Sequence, residues 1–299
     1  MLLYHSKRRS GKMEILNQNR TIIGEGPVWN EKEQKLYYVN PYESEYRILD
    51  IYTKETKYIK TDIPVCAIAF SDKGDIIASQ EDGVHILNSD GTRSPLYDKN
   101  KFDIKYCNDM KVGPDGKIYV GTQSEKRKTG SGNIDGKLYS IDNEGNVKVL
   151  LDNLILSNGL EWSLDEKFLY HTDSDTKTIK EYAFDKESGN IEFTGREIRL
   201  TAVDGFTVDK EGNLLVAAWG YGYLIIIDTK TLTVKGNIDV PAKIPASCGF
   251  AGSDMEKLIT VTANFKDIAK EDKNAGYTFS HDHFAKGRKP FLFKTKEAK

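Results

Sequence analysis

The chain has 299 residues, with 43 Lys and Arg against 45 Asp and Glu, for a formal net charge of −2. So even a balance gives no field that would gather nucleic acid or an anionic membrane surface. The three cysteines, Cys66, Cys107 and Cys248, are odd in number and widely spaced, which fits free thiols in a reducing compartment rather than a disulfide framework.

No run approaches the roughly 20 apolar residues of a membrane-spanning helix. Residues 1–12 are basic and lack the apolar core of a signal peptide. They read as a disordered tail, with Met13 opening the folded part, 13–299, as one domain. The expected location is the cytoplasm.

Residues 14–23 have strand character and are placed to pair with the C-terminal segment, which would close a ring with no open sheet edge. One sentence then recurs along the chain. It reads GPVWNEKEQKLYYVN at 26–40, CAIAFSDKGDIIASQ at 66–80 and NDMKVGPDGKIYVGTQ at 108–123. It returns as SNGLEWSLDEKFLYHTD at 157–173, DGFTVDKEGNLLVAAW at 204–219 and, more weakly, SCGFAGSDMEKLITVTA at 247–263. Each copy is two β-rich runs joined by a tight polar turn, a hairpin.

Two further runs follow each copy. They are 46–51 and 57–61, then 83–87 and 93–97, and then 137–141 and 147–151 after a Lys-, Gly- and Ser-rich excursion at 124–135. The later copies add 178–184 and 191–200, then 223–227 and 234–240. In the last copy an insertion at 264–274 precedes 275–280 and 290–293. No stretch carries helical periodicity over three turns. Six repeats of a few short strands predict an all-β, six-bladed β-propeller.

Aligning the copies on their turns sets one column in register. An offset of 50 positions carries Asn108 onto Asn158, and a further 46 carries Asn158 onto Asp204. The column reads Glu25, Cys66, Asn108, Asn158, Asp204, and then Ala246 or Ser247. Equivalent positions of successive blades lie on one ring around the central channel, so four of the six carry hard oxygen side chains. Carboxylate and amide oxygens of this kind hold hard divalent cations, Ca²⁺ first and Mg²⁺ or Mn²⁺ next. The absence of histidine from the ring argues against Zn²⁺ on ligand preference. Asn-Gly and Asp-Gly are also turn signals, so 158–159 and 204–205 could equally serve to turn the chain.

Other candidates are weaker. His281 and His283 flank Asp282 without a third ligand nearby, which suits a solvated loop better than zinc. Trp29 and Trp162 fall at core positions. There is no G-x-S-x-G elbow, P-loop or dinucleotide fingerprint.

The runs GEGPVW at 24–29, ND at 108–109 with PDGKIYVGT at 114–122, SNGLEWSLDEKFLYHTDS at 157–174 and DGFTVDKEGNLLVA at 204–217 resemble the regucalcin (senescence marker protein)/gluconolactonase family. The resemblance runs from about Ile22 onward. It implies a six-bladed propeller with one divalent cation in the channel, held by Glu25, Asn158 and Asp204, with Asp204 doubling as general base. Family members tolerate several metals, so the resemblance leaves Zn²⁺ open beside Ca²⁺, Mg²⁺ and Mn²⁺. It also implies that Asn108 ligates the cation or contacts substrate.

Two positions on the substrate side depart from the family pattern. Tyr106 stands where an arginine is common, and Glu125 and Lys126 compete for an expected glutamate. The implied activity is hydrolysis of a small sugar-type (aldono-) lactone by metal-activated water. The alternatives are an organophosphate or ester hydrolase on the same scaffold, or a non-catalytic metal-binding propeller. No protein partner is implied.

Overall fold

The computed structural model describes residues 13–88, 92–265, 267–282 and 285–296. The tail assigned to 1–12, and His283, therefore lie outside the described residues. Six four-stranded antiparallel sheets form the six blades of a β-propeller. The innermost strands are Glu25–Asn30, Val65–Phe70, Cys107–Val112, Ser157–Trp162, Phe206–Val208 and Pro245–Ala251.

Burial grades outward within each blade. Every residue of Ser157–Trp162 is buried, whereas the outermost strand of the same blade, Asn190–Arg199, nearly alternates between exposed and half-buried. Inner strands are covered by both neighbouring blades and outer ones by little more than their own hairpin partner. Between blades three and four, Trp162 meets Tyr119 edge-on at 4.8 Å and Phe184 at 5.9 Å. Trp29 and Trp162 are both core side chains, 2% and 0% exposed.

The ring closes as the sequence suggests. Glu14–Asn17 is the outermost strand of the sixth blade and pairs antiparallel with Thr278–Asp282, Ile15 opposite Phe279. That closure corrects one expectation, because residues 290–293 are no blade strand. Their slot is taken by the N-terminal strand, and the C-terminal segment instead crosses the end of the channel where the hairpin turns lie.

On its way this segment is fastened to every blade. Gly287 N donates to Met255 O at 2.8 Å and Lys210 N to Lys286 O at 2.7 Å. Arg288 pairs with Glu161 and donates to Ser163 O at 3.2 Å, and Lys289 pairs with Glu31. Phe293 N donates to Phe70 O at 2.9 Å and Lys294 N to Gly116 O at 3.0 Å. A cavity of about 90 Å³ remains between this floor and the ring, lined in part by Trp29, Phe70, Asp109, Lys111, Glu161 and Arg288.

The 124–135 excursion contains a short helix, Glu125–Thr129, too brief to leave a periodic signal. Ser124 caps it, Oγ accepting from Arg127 N at 3.1 Å, and Gly130 ends it at φ 82°. Among the described residues no helix is long and apolar enough to cross a membrane. His281 lies in the strand Thr278–Asp282 and is buried, and Asp282 pairs with Lys257 at 2.8 Å.

Candidate metal centre

Ring residues stand at the starts of the inner strands, at the end of the channel opposite the floor. There the inner hairpin departs from regular pairing in five blades: register shifts fall between Glu25 and Val28, Val65 and Ala67, Cys107 and Met110, Ser157 and Leu160, and Pro245 and Ser247. Such bulges re-aim side chains. They let consecutive residues approach the channel where strict alternation would send every second one away.

Asn158 and Asp204 are in direct contact, Asn158 Nδ2 donating to Asp204 Oδ1 at 2.5 Å, and both are buried. Asn108 Nδ2 donates to Ser157 O at 3.0 Å, which leaves its Oδ1 as the end able to face a cation. Burial holds the carboxyls of Glu25 and Asp204 well above the ordinary carboxylate range. The charge of Asp204 adds to this at Glu25, and Asp109 adds to it at both. Among the described residues no lysine or arginine pairs with either. Asp109 is likewise pushed up by burial, with Lys111 acting in the opposite direction. At Cys66, the ring position of blade two, burial pushes the thiol up to about 12.

The sequence reading missed Asp109, the neighbour of Asn108. The Asn-Asp pair was visible, but alternation assigns only one of two consecutive residues to the channel, and the bulge between Cys107 and Met110 lifts that rule.

The turn alternative for the two glycines is not what the structure shows. Gly159 lies inside a strand, and a Cβ there would sit 2.4 Å from Phe206 Cδ1 and 2.5 Å from Asp204 O. A Cβ on Gly205 would sit 2.2 Å from Ser247 Oγ. Each glycine is required because the next blade passes too close for a side chain. Gly159→Ala is therefore expected to cost about 1–3 kcal/mol, as overpacking does. Because the obstruction is the backbone of Asp204, it should also weaken cation binding, which thermal unfolding and Ca²⁺ titration of the same variant would measure together.

Behind Asn158, Ser157 Oγ and His171 Nε2 are 2.7 Å apart in the core, and Asp173 accepts from Ile155 N at 2.8 Å and Leu156 N at 3.0 Å. These bonds fix the entry of the strand that presents Asn158.

The remaining two predicted site residues lie on the rim. Tyr106 has a left-handed backbone, φ 55°, its N donating to Glu81 O at 2.6 Å. Its ring has Lys128 Nζ 6.0 Å from the centroid, and Lys128 in turn pairs with Glu81 at 3.0 Å. Glu125 is exposed, and its carboxylate is turned into its own loop, with Asn133 N 3.5 Å from Oε2. The structure brings Glu25, Asn108, Asn158, Asp204 and Asp109 together and leaves Glu125 apart.

Among the described residues no three His, Cys, Asp or Glu side chains converge into a ready-made metal cage. The donor set nonetheless fits a hard cation. Carboxylates drawn out of water that repel one another and lack a basic partner, as Glu25 and Asp204 do, must hold protons or face a cation. Amides supply further neutral oxygens.

Residues 23–264 match the model of the SMP-30/Gluconolactonase/LRE-like region. The chain belongs to this family. YvrE of Bacillus subtilis (strain 168), provisionally named a sugar lactone lactonase, is 30% identical over 92% of this chain and 96% of its own. Regucalcin of Bos taurus is 28% identical over 84% and 87%. The crystal structure of a calcium-binding regucalcin from Agrobacterium tumefaciens superposes with a TM-score of 0.84 at 21% identity, covering 95% of this chain and 97% of that one, which shows the common fold. Membership of this family supports an activity of the lactonase type.

Proposed function

We propose that this chain is a divalent-cation-dependent lactonase whose cation is held by Glu25, Asn158 and Asp204, with Asn108 beside them. The observation that carries the reading is the carboxylate pair of half-buried Glu25 and buried Asp204, without a basic partner at the ring end of a gluconolactonase-type propeller. When bound, a divalent cation supplies Lewis-acid polarisation of an ester carbonyl. Ca²⁺ suits the oxygen donors best, ahead of Mg²⁺, Mn²⁺ and Zn²⁺.

In this reading Asp204 takes a proton from the attacking water. The new bond joins the water oxygen to the carbonyl carbon, and the ring C–O bond breaks. The proton passes to the departing alkoxide, and the product is a hydroxy acid. Asp204 would meet the water as a carboxylate, because a cation held beside it would offset the burial and the repulsion from Asp109 that keep its proton in the cation-free protein. Asn108 and Tyr106 stand where the substrate would enter. A sugar-type ring, which the naming of YvrE supports, is the first substrate class to try.

The test is acid release from aldono- and aliphatic lactones, using EDTA-stripped protein reloaded with Ca²⁺, Mg²⁺, Mn²⁺ or Zn²⁺. Cation-dependent turnover is expected. Silence across the panel while a cation remains bound would sink the reading.

The same carboxylates make a prediction about stability. Their folded pKa values lie above the unfolded value near 4, so the native state holds protons that the unfolded chain has released. Their contribution to the cation-free protein therefore falls as pH rises from about 4 through the raised values. His85 and His171, depressed by burial to about 4 and about 3, give the opposite slope up to about pH 6.5. The clean quantity is thus the stabilisation by Ca²⁺ at each pH. It is expected to grow from pH 5 to pH 8, because the cation competes with protons. Calorimetry with EDTA and with excess Ca²⁺ measures it, and a gain independent of pH would count against these ligands.

A further inference from the structure

We propose that the mouth over the ring accepts a lactone carrying an apolar arm, aryl or alkyl, seated on the aromatic cluster of Tyr42, Trp219 and Phe265. This rests on the lactonase reading and narrows its substrate.

The three aromatics come from three blades and meet edge to face. Tyr42 and Phe265 are 6.1 Å apart between ring centroids, and Trp219 and Phe265 are 6.2 Å apart. Tyr42 is 64% exposed and Phe265 37%, so this is surface and not core. Trp219 is half-buried, packed with Ile23 and Ile268 on a base of Ile244, Ala263, Ala269 and Ala275.

Backbone pairing places the cluster beside the reactive ring. Glu25 is the strand partner of Val39, three residues before Tyr42. Asp204 N donates at 3.0 Å to the carbonyl of Ala217, two residues before Trp219. Ile23 bridges to Ala263, two residues before Phe265. Each aromatic thus stands two or three residues along the chain from the backbone that pairs with Glu25, Asp204 or Ile23, Tyr42 in the 3-10 turn Pro41–Glu43 that follows its strand.

The chemistry of this wall favours an apolar arm on that side. It presents mainly aromatic faces and edges, with the Tyr42 hydroxyl and the Trp219 indole N–H as its polar atoms, so an apolar substituent gains burial there while most hydroxyls of a polyol would find no partner. Across the mouth stands another aromatic, Tyr106, in the position where sugar-lactone enzymes of the resembled family often carry arginine. Elsewhere among the described residues exposed aromatics meet at most in pairs, as Tyr221 with Tyr223 and Phe193 with Tyr182. Here three cluster at the opening of the proposed active site, which is the arrangement that marks a ligand surface.

The experiment compares γ-lactones of increasing alkyl chain length with δ-gluconolactone, on the Ca²⁺-loaded protein. For the wild type kcat/KM is expected to rise up to about fourfold per added methylene until the wall is covered. Phe265→Ala should flatten that dependence, and Phe193→Ala should leave it standing. In parallel, cation-free protein is titrated with the longest and the shortest lactone while tryptophan emission is followed. Trp29 and Trp162 are buried, so a response to the long lactone alone that disappears in Trp219→Phe reports the arm on the wall.

Turnover with a flat chain-length series and no emission response overturns this proposal and leaves the lactonase reading intact. An emission response with no turnover of any lactone supports the wall and overturns the lactonase reading.

Discussion

Asp204→Asn is expected to lower kcat/KM for any lactone this chain opens by about a thousandfold, the scale lost when a positioned general base is removed. The fold should survive, because the exchange keeps shape and hydrogen-bonding capacity next to Asn158 and removes one of several mutually repelling buried charges. The cation-free variant should therefore melt at or above the temperature of the wild type, while its affinity for Ca²⁺ falls. A residue that served only to hold the blade would behave in the opposite way, losing stability together with activity. Glu125→Gln is the matched control. Its carboxylate is turned into its own loop, so a change of less than about threefold is expected, the size of an ordinary surface substitution. A thousandfold loss there, with Asp204→Asn active, would relocate the chemistry to the rim.

The fold was legible because a propeller repeats its punctuation. Turn residues recur at near-constant spacing, and each strand copy needs only its two β-rich runs to be recognised. The ring column followed from the same alignment, and the structure places Glu25, Asn108, Asn158 and Asp204 at matching points of their blades. What the sequence did not carry is what one blade does to another. The need for glycine at 159 arises from Phe206 and the carbonyl of Asp204, so a local reading saw only an Asn-Gly turn.

Asp109 was hidden by a bulge, which alternation cannot foresee. The aromatic wall was invisible because Tyr42, Trp219 and Phe265 are far apart in the chain and have no shared motif. Residues 290–293 looked like a strand since Phe-Leu-Phe is strand-like, yet the N-terminal strand had already filled the sixth blade. Their partners are the turns of other blades, a relation of the whole ring that no local pattern records.

That floor segment gives the second large effect. A chain ending at residue 285 is expected to lose several kcal/mol, a large part of the 5–15 kcal/mol of an ordinary domain. Burial of Phe293 alone accounts for about 2–3 kcal/mol, and the segment also ties blades far apart in sequence through backbone bonds.

Arg288 adds an electrostatic part. Glu161 is buried, which would raise its pKa, but Lys111 and Arg288 more than offset this and hold it below the usual range. A carboxyl depressed in the folded state gives stability that is present above its unfolded value near 4.3 and lost as pH falls through the folded one. Arg288→Met, which keeps the stem in the cavity, removes one of these two cations. At neutral pH it should cost about 2 kcal/mol, less than the 3–5 kcal/mol of a buried charge left wholly unpaired, because Lys111 remains 3.0 Å from Glu161. The deficit of the variant should begin to shrink below the unfolded value near 4.3 and go on shrinking as pH falls through the depressed value of the wild-type fold. Urea unfolding at pH 7 and pH 3.5 measures both terms. A deficit that persists undiminished in acid would assign the floor's contribution to packing alone.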